Sequence, residues 1–225
     1  EPINIAAYIH ALEGVAGIHA SKLGWMTSEL HSPPCEGLSM AFDNFSAMPL
    51  FARHIRKNYD GNVLVVSPDI GGLKKAESLA EMIGVDIPVG VPKIRKADGK
   101  LKKVYWDFDR GMVEGKTAVI VDDMIDSGGT SVGPCEGLRR SGAKNIAIYA
   151  THALLNGMAA DNLRKTGARI VTTDSVYNSS EKIERLGLTV FPISYVIAEA
   201  IKRQHLKTTT RELRELDSVD IIAKR

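Results

Sequence analysis

The sequence predicts an α/β fold built on a parallel β-sheet with helices on both faces. Short, continuously apolar segments of the buried-strand type recur along the chain, such as VLVVS at 63–67 and TAVIV at 117–121. Segments with apolar side chains at helical spacing lie between them. Strands that alternate with helices form parallel sheets, and ligands bind such sheets at the carboxyl ends of the strands.

The individual elements follow from apolar spacing and from the Gly, Pro and Asp residues that interrupt it. The first residues have helical spacing, and 24–43 reads as loops around a short extended piece. Helices are predicted at Met48–Asn58, where Pro49 suits the first turn, and at Leu73–Ile83, Thr130–Ser141, Ala159–Thr166 and Ser194–Gln204. Strands are predicted at Val63–Ser67, Val85–Val91, Thr117–Val121, Asn145–Ala150, Arg169–Thr172 and Leu188–Phe191.

The composition argues against several classes of function. The net charge is +2, from 29 basic and 27 acidic residues, which is too balanced for nucleic acid or a membrane as the main partner. The two cysteines, Cys35 and Cys135, lie far apart and form no metal-ligand motif, which fits a cytoplasmic protein. No apolar segment is long enough to cross a membrane, and no signal peptide opens the sequence.

The most informative motif is VIVDDMIDSGGTS at 119–131. Asp122 and Asp123 follow an apolar strand, where carboxylates can accept hydrogen bonds from the vicinal hydroxyls of a ribose. The next residues offer backbone N–H groups, hydroxyls and a helix N-terminus to a phosphate: Asp126, Ser127, Gly128, Gly129 and Thr130. The motif predicts a ribose phosphate site. The alternative is an N-capped turn with solvated aspartates.

A second motif, VPKIRK, is followed by the charged stretch ADGKLKKVYWDFDR. In an extended segment Lys93 and Arg95, two positions apart, point to the same side. Both can then contact one polyphosphate, the lysine as a point charge and the arginine as a fork. The alternative is a solvated hairpin, which is the usual structure of such charge runs.

Together these motifs resemble the ribose-phosphate pyrophosphokinases, which have the type I phosphoribosyltransferase fold. VIVDDMIDSGGTS resembles the phosphoribosyl pyrophosphate loop of that fold, and VVSPDIGG resembles a signature whose aspartate, here Asp69, faces the ribose and its magnesium. The segments DNFSAMPL, THALLNG and TTDS resemble family segments in the same order. The resemblance places Lys93 and Arg95 on a flexible catalytic loop. It also makes His31 a candidate ligand of ATP and its metal, with a surface-loop histidine as the alternative.

The resemblance implies a reaction and a set of partners. Pyrophosphate would pass from ATP to the 1-hydroxyl of ribose 5-phosphate, giving phosphoribosyl pyrophosphate and AMP. Mg²⁺ would be the cofactor, with Asp69 and His31 as candidate metal ligands. A homo-oligomer built from dimers is also implied, with a hexamer as one arrangement. Two alternatives stay open: a phosphoribosyltransferase that consumes phosphoribosyl pyrophosphate, and a non-catalytic, synthetase-associated regulatory subunit.

The same resemblance suggests a domain organisation. Residues 1–47 would be the C-terminal part of a first phosphoribosyltransferase-like domain, and 48–205 a similar domain that binds ribose 5-phosphate. Residues 206–225 would form a polar tail. Because the opening Glu1-Pro2-Ile3 resembles a stretch well inside family members, we expect this sequence to lack an upstream segment of the ATP site.

Overall fold

A computed structural model describes residues 25–28, 42–69, 71–85, 92–97, 101–106 and 108–209. In the strands at 25–28, 42–45, 92–97 and 101–105 the description covers the backbone alone. The chain divides into two compact units: one contains residues 48–194, and the other contains 1–47 together with 195–225.

The elements occur in a regular order along the chain. They are β1 (Trp25–Ser28), β2 (Phe42–Phe45), α1 (Met48–Asn58), β3 (Val63–Val66), α2 (Leu73–Ile83), β4 (Pro92–Ala97), β5 (Leu101–Trp106), α3 (Arg110–Val113), β6 (Thr117–Ile125), α4 (Gly129–Arg140), β7 (Asn145–Ala153), α5 (Ala159–Thr166), β8 (Arg169–Thr173), α6 (Ser180–Leu186), β9 (Thr189–Phe191) and α7 (Ser194–His205).

A five-stranded parallel sheet forms the centre of the unit at 48–194, with the strand order β3-β6-β7-β8-β9. Its two faces are covered by different helices. Leu64, Ile120 and Ile148 face a core that contains Cys135 and Leu138 of α4 and Leu163 of α5. On the other face, the buried ring of Tyr149 packs edge-on against Phe51 of α1 with their centroids 5.3 Å apart. The predicted α/β fold with helices on both faces is confirmed.

Three features differ from the predicted elements. The strand predicted to end at Val121 continues to Ile125 as β6, because its pairing with β7 persists through Asp122 and Met124. The predicted strand Val85–Val91 lies mostly outside the described residues, and Val85 itself follows α2 without joining a strand. The helix α6 was not predicted, although the Ser179 hydroxyl caps it by accepting from the Lys182 N–H.

The remaining elements are local pairs. In the unit at 48–194, β4 and β5 form an antiparallel hairpin in which Lys93 lies opposite Tyr105 and Arg95 opposite Lys103. In the other unit, β1 and β2 pair in parallel, so strands occupy part of the region predicted as loops. A search of the described residues finds no helix that is both long and apolar enough to span a membrane.

Candidate functional site

The candidate site lies at the carboxyl edge of the sheet, where β3 and β6 are neighbours. Parallel strands deliver their following loops to one edge, so the turn after β3 and the end of β6 meet there. Asp69 lies in the first of these segments and Asp122 in the second. The charge of Asp69 is among the causes that raise the pKa of Asp122, after burial and Asp123.

Asp122 and Asp123 lie inside β6, not beyond its end as the sequence suggested. Asp123 is 5% exposed, whereas Asp122 is less buried. Each carboxylate accepts a hydrogen bond from the next backbone N–H: Asp123 N–H donates to Asp122 Oδ1 at 2.8 Å, and Met124 N–H donates to Asp123 Oδ1 at 2.9 Å. These contacts hold both carboxyl groups at the strand end, with Asp122 more accessible to a ligand.

Crowding of carboxyl groups changes the acidity of Asp122. Burial raises its pKa, and the neighbouring carboxyl group of Asp123 and the charge of Asp69 raise it further, to about 7. The backbone N–H of Asp123 opposes this shift without cancelling it. Below about pH 7 the free site therefore favours a proton on Asp122, and hydrogen-bond donors or a cation can replace that proton when a ligand binds.

This shift predicts that the free protein loses stability as the pH rises. A carboxyl group whose pKa is higher in the folded state stabilises that state fully below its unfolded-state pKa. This stabilisation is lost as the pH rises through the folded-state pKa. Asp122→Asn removes the charge, and one pKa unit is worth about 1.4 kcal/mol, so allowing for partial exposure we expect a gain of about 2 kcal/mol near pH 8.

Urea unfolding measured near pH 5.5 and near pH 8 tests this expectation. Asp60→Asn, at an exposed carboxylate in the turn before β3, is the matched control and should leave the pH dependence unchanged. If Asp122→Asn loses as much stability between the two pH values as the original protein does, the raised pKa of Asp122 is wrong.

The loop between β6 and α4 has the geometry of an anion-binding turn. Gly128 adopts a left-handed conformation, with φ 69° and ψ 5°, and it is followed directly by the first residue of α4. A side chain there would also be placed 3.3 Å from Leu163, so glycine is favoured by conformation and by space. The first N–H groups of a helix have no partner within it, and here Ser127 and Thr130 add exposed hydroxyls beside them.

Three residues that the sequence analysis did not assign to the site hold this loop in place. The Asn156 side chain donates to Asp126 Oδ1 at 2.8 Å, and the Asn162 side chain donates to the Ser127 carbonyl at 2.9 Å. Leu155 has a φ of 54°, unusual for a non-glycine residue, and its N–H donates to the Ile125 carbonyl at 3.1 Å. Asp126, which the sequence predicts to take part in phosphate binding, also braces the loop by accepting this bond from Asn156.

Asp69 shapes the turn after β3. Its Oδ1 accepts from the Gly72 N–H at 2.8 Å, and its carbonyl accepts from the Ser67 hydroxyl at 2.6 Å. A Cβ at Gly72 would lie 2.6 Å from Ser67 Oγ, which explains a glycine at this position. The exposed Asp69 carboxylate is oriented by these bonds and has a second oxygen for a ligand.

The other predicted site residues are less fully placed. Lys93 and Arg95 lie on β4, so the backbone there is extended, as predicted. His31 lies outside the described residues. Within the described ranges, no cluster of three or more His, Cys, Asp or Glu side chains could hold a metal ion. A single carboxylate such as that of Asp69 suits Mg²⁺ only together with ligands from outside the protein. Mg²⁺ is usually bound by one or two carboxylates together with water and substrate phosphates.

Comparison with known proteins finds a matching family model and similar curated proteins. Residues 108–213 match the family model of the phosphoribosyl synthetase-associated domain. A ribose-phosphate pyrophosphokinase of Vibrio parahaemolyticus is 36% identical over 180 residues, covering 79% of this chain and 56% of that protein. One from Bifidobacterium longum is 38% identical over 182 residues, covering 79% and 53%. The chain spans little more than half the length of these relatives.

A solved structure gives the same relationship in three dimensions. The crystal structure of phosphoribosylpyrophosphate synthetase from Mycobacterium smegmatis superposes with a TM-score of 0.69 at 31% identity, covering 81% of this chain and 58% of that one. The resemblance inferred from VVSPDIGG and VIVDDMIDSGGTS is therefore confirmed by proteins that match over most of this sequence.

Proposed function

Because the chain belongs to the ribose-phosphate pyrophosphokinase family, we propose that it forms the ribose 5-phosphate half of an enzyme that transfers pyrophosphate from ATP to the sugar. The observation that carries the proposal is the meeting of carboxylates and an anion-binding loop at one edge of the sheet. Asp122 supplies hydrogen-bond acceptors, and the loop ending in the first turn of α4 supplies donors.

The sugar fits this edge by its own chemistry. A ribose has two adjacent hydroxyl donors and a phosphate that needs donors. Asp122 accepts hydrogen bonds from the sugar hydroxyls. The N–H of the buried Asp123 donates to Asp122 Oδ1, and the Asp123 carboxylate is a further acceptor for the sugar. Ser127, Thr130 and the N–H groups at Gly128 and Gly129 hold the phosphate. Asp126 belongs to the same proposed phosphate site, and its bond from Asn156 keeps the loop in shape.

The transfer itself needs positioning and charge neutralisation more than covalent catalysis. We assign the neutralisation of charge to Lys93 and Arg95. Both lie on β4 of the β4–β5 hairpin, and together they would supply two cations to the β-phosphate. Mg²⁺ fits Asp69 as one protein ligand among phosphate and water oxygens, where it would neutralise negative charge. His31 is proposed as a further contact to the ATP and its metal.

The proposal extends to domains and assembly. Residues 48–205 form the sugar domain, 1–47 belong to a first similar domain, and 206–225 form a tail. We also propose a cytoplasmic homo-oligomer built from dimers, for which a hexamer is one arrangement. The substrates are ribose 5-phosphate and ATP, because the family to which the matched relatives belong is named for that reaction.

Formation of AMP tests the reaction. The native full-length protein is mixed with ATP, Mg²⁺ and ribose 5-phosphate, and AMP is followed by chromatography. We expect AMP only when all three are present. A phosphoribosyltransferase would instead release pyrophosphate from phosphoribosyl pyrophosphate when a base is added, and a non-catalytic subunit would do neither. No AMP from the intact protein would refute the proposed reaction.

A hairpin variant separates chemistry from binding in the same assay. Lys93→Ala with Arg95→Ala should lower the rate of AMP formation by about 100-fold or more, because both cations act on charge that develops during transfer. Its affinity for ribose 5-phosphate should stay unchanged, since that sugar is held at the β6 edge. Lys102→Ala with Lys103→Ala removes two charges from the opposite strand of the hairpin and is the matched control.

A further inference from the structure

A cavity lies at the edge of the sheet opposite the candidate site. It has a volume of about 410 Å³ and opens at the amino ends of β7 and β8. Its polar lining comprises Tyr59, Arg139, Lys144, Asn145 and Arg169, next to Gly167. The nine-residue strand β7 joins the two edges. At about 3.3 Å per residue, they are roughly 25 Å apart.

The charge of this pocket is one-sided. Arg139, Lys144 and Arg169 bring three cations to its wall. None of the described residues that line the pocket is acidic. The carboxyl ends of α4 and α5 add partial negative charge nearby, but a helix terminus carries only about half a charge. Three full cations outweigh it, so the pocket favours an anion with more than one negative charge.

The two arginines are exposed, and each makes one hydrogen bond to the protein that leaves donors to spare. The Arg139 guanidinium donates to the Thr166 carbonyl, and a Cβ at Gly167 would lie 3.0 Å from its Nη2. Arg169 donates to the Thr189 hydroxyl at 3.4 Å. Each guanidinium has five N–H donors, so most of them stay available to a ligand. The planar donors of a guanidinium group match the oxygens of a phosphate.

Tyr59 connects the pocket to a buried network. Burial, and after it Tyr59, raises the pKa of the Tyr149 hydroxyl, which lies 2.8 Å from His54 Nδ1. Burial is the main cause that lowers the pKa of His54, and the charge of Arg169 lowers it further. Arg169 at the pocket wall therefore interacts electrostatically with the half-buried His54, which can report on what binds there.

We propose that this pocket is a second anion site that binds a small phosphorylated molecule, separate from the ribose phosphate site. Its three cations supply the charge complement, and its volume accommodates a molecule of metabolite size. The proposal goes beyond the proposed function, because it uses none of the residues at the carboxyl edge of the sheet.

Calorimetric titration with inorganic pyrophosphate at low ionic strength tests the site. Lys144→Gln with Arg169→Gln should weaken pyrophosphate binding by about tenfold or more, since it removes two charge-assisted contacts. Lys165→Gln with Arg185→Gln removes the same charge from exposed positions outside the lining and should leave the affinity nearly unchanged. Ser127→Ala with Thr130→Ala identifies any pyrophosphate bound at the carboxyl edge.

The outcomes separate this proposal from the proposed function. Unchanged pyrophosphate affinity in the pocket variant, equal loss in the charge-matched control, or loss in the Ser127/Thr130 variant alone would each overturn the pocket site. Ribose 5-phosphate binding should be the same in the pocket variant as in the original protein. NMR titration of His54 gives an independent readout: pyrophosphate should raise its pKa by neutralising Arg169, and an unchanged titration would contradict binding at this wall.

Discussion

Replacing Asp122 and Asp123 with alanine is expected to lower the affinity for ribose 5-phosphate by about 100-fold or more. In the proposed function Asp122 is the accessible acceptor for the sugar hydroxyls, and the Asp123 N–H beside it donates to Asp122 Oδ1 at 2.8 Å. A hydrogen bond to a charged group is worth about 1.5–3 kcal/mol, so the loss of two such bonds corresponds to this change. Calorimetric titration of the sugar phosphate measures it.

The variant should remain folded, which makes the result interpretable. The pKa of Asp122 is raised to about 7 in the folded state, so its charge opposes folding near neutral pH, and its removal should not destabilise the domain. A second ligand localises the effect: 2-deoxyribose 5-phosphate lacks one hydroxyl and should lose less affinity in the variant than ribose 5-phosphate does. Undiminished binding of ribose 5-phosphate would refute the assignment of the carboxylates to the sugar.

The sequence did not indicate that Asp123 is buried while Asp122 is partly exposed. The apolar pattern ended at Val121, and nothing in the residue types showed that pairing with β7 continues to Ile125. Strand pairing is a long-range property, since it depends on where the neighbouring strand runs. The motif therefore gave the right residues for the edge, while the structure was needed to show that Asp122 is the more accessible of the pair.

The loop between β6 and α4, for which we propose phosphate binding, illustrates the same limit. Gly128 was predicted from its place after a strand and before a helix, and its left-handed conformation agrees. Asn156 and Asn162 brace the loop from 30 and 35 residues away, so no local pattern connects them with it. By contrast, both ends of α6 carry local sequence signals. Ser179 caps its start, and Gly187 ends it with a φ of 61°.

A close helix contact gives the second large effect: Gly137→Val should lower the free energy of unfolding by about 3 kcal/mol. Gly137 lies in α4, on which the last residue of β5 rests. A Cβ at this position would be 2.7 Å from both the Cβ and the carbonyl oxygen of Trp106, and 3.0 Å from the Phe108 ring. Backbone atoms cannot yield as a flexible side chain does, so the helix and the strand end must separate.

Gly137→Ala tests the sign of this argument, because two effects oppose each other there. Alanine in a helix is favoured over glycine by about 1 kcal/mol, so helix propensity alone predicts a more stable protein. The contact with Trp106 predicts a less stable one, and Glu136→Ala, at an exposed neighbour in the same helix, isolates general effects of alanine. Stabilisation of Gly137→Ala in urea unfolding would show that α4 does not approach the strand this closely. Destabilisation would mean that α4 packs closely against the end of the hairpin that carries Lys93 and Arg95, where Arg140 of the same helix donates to the Trp106 carbonyl at 2.9 Å.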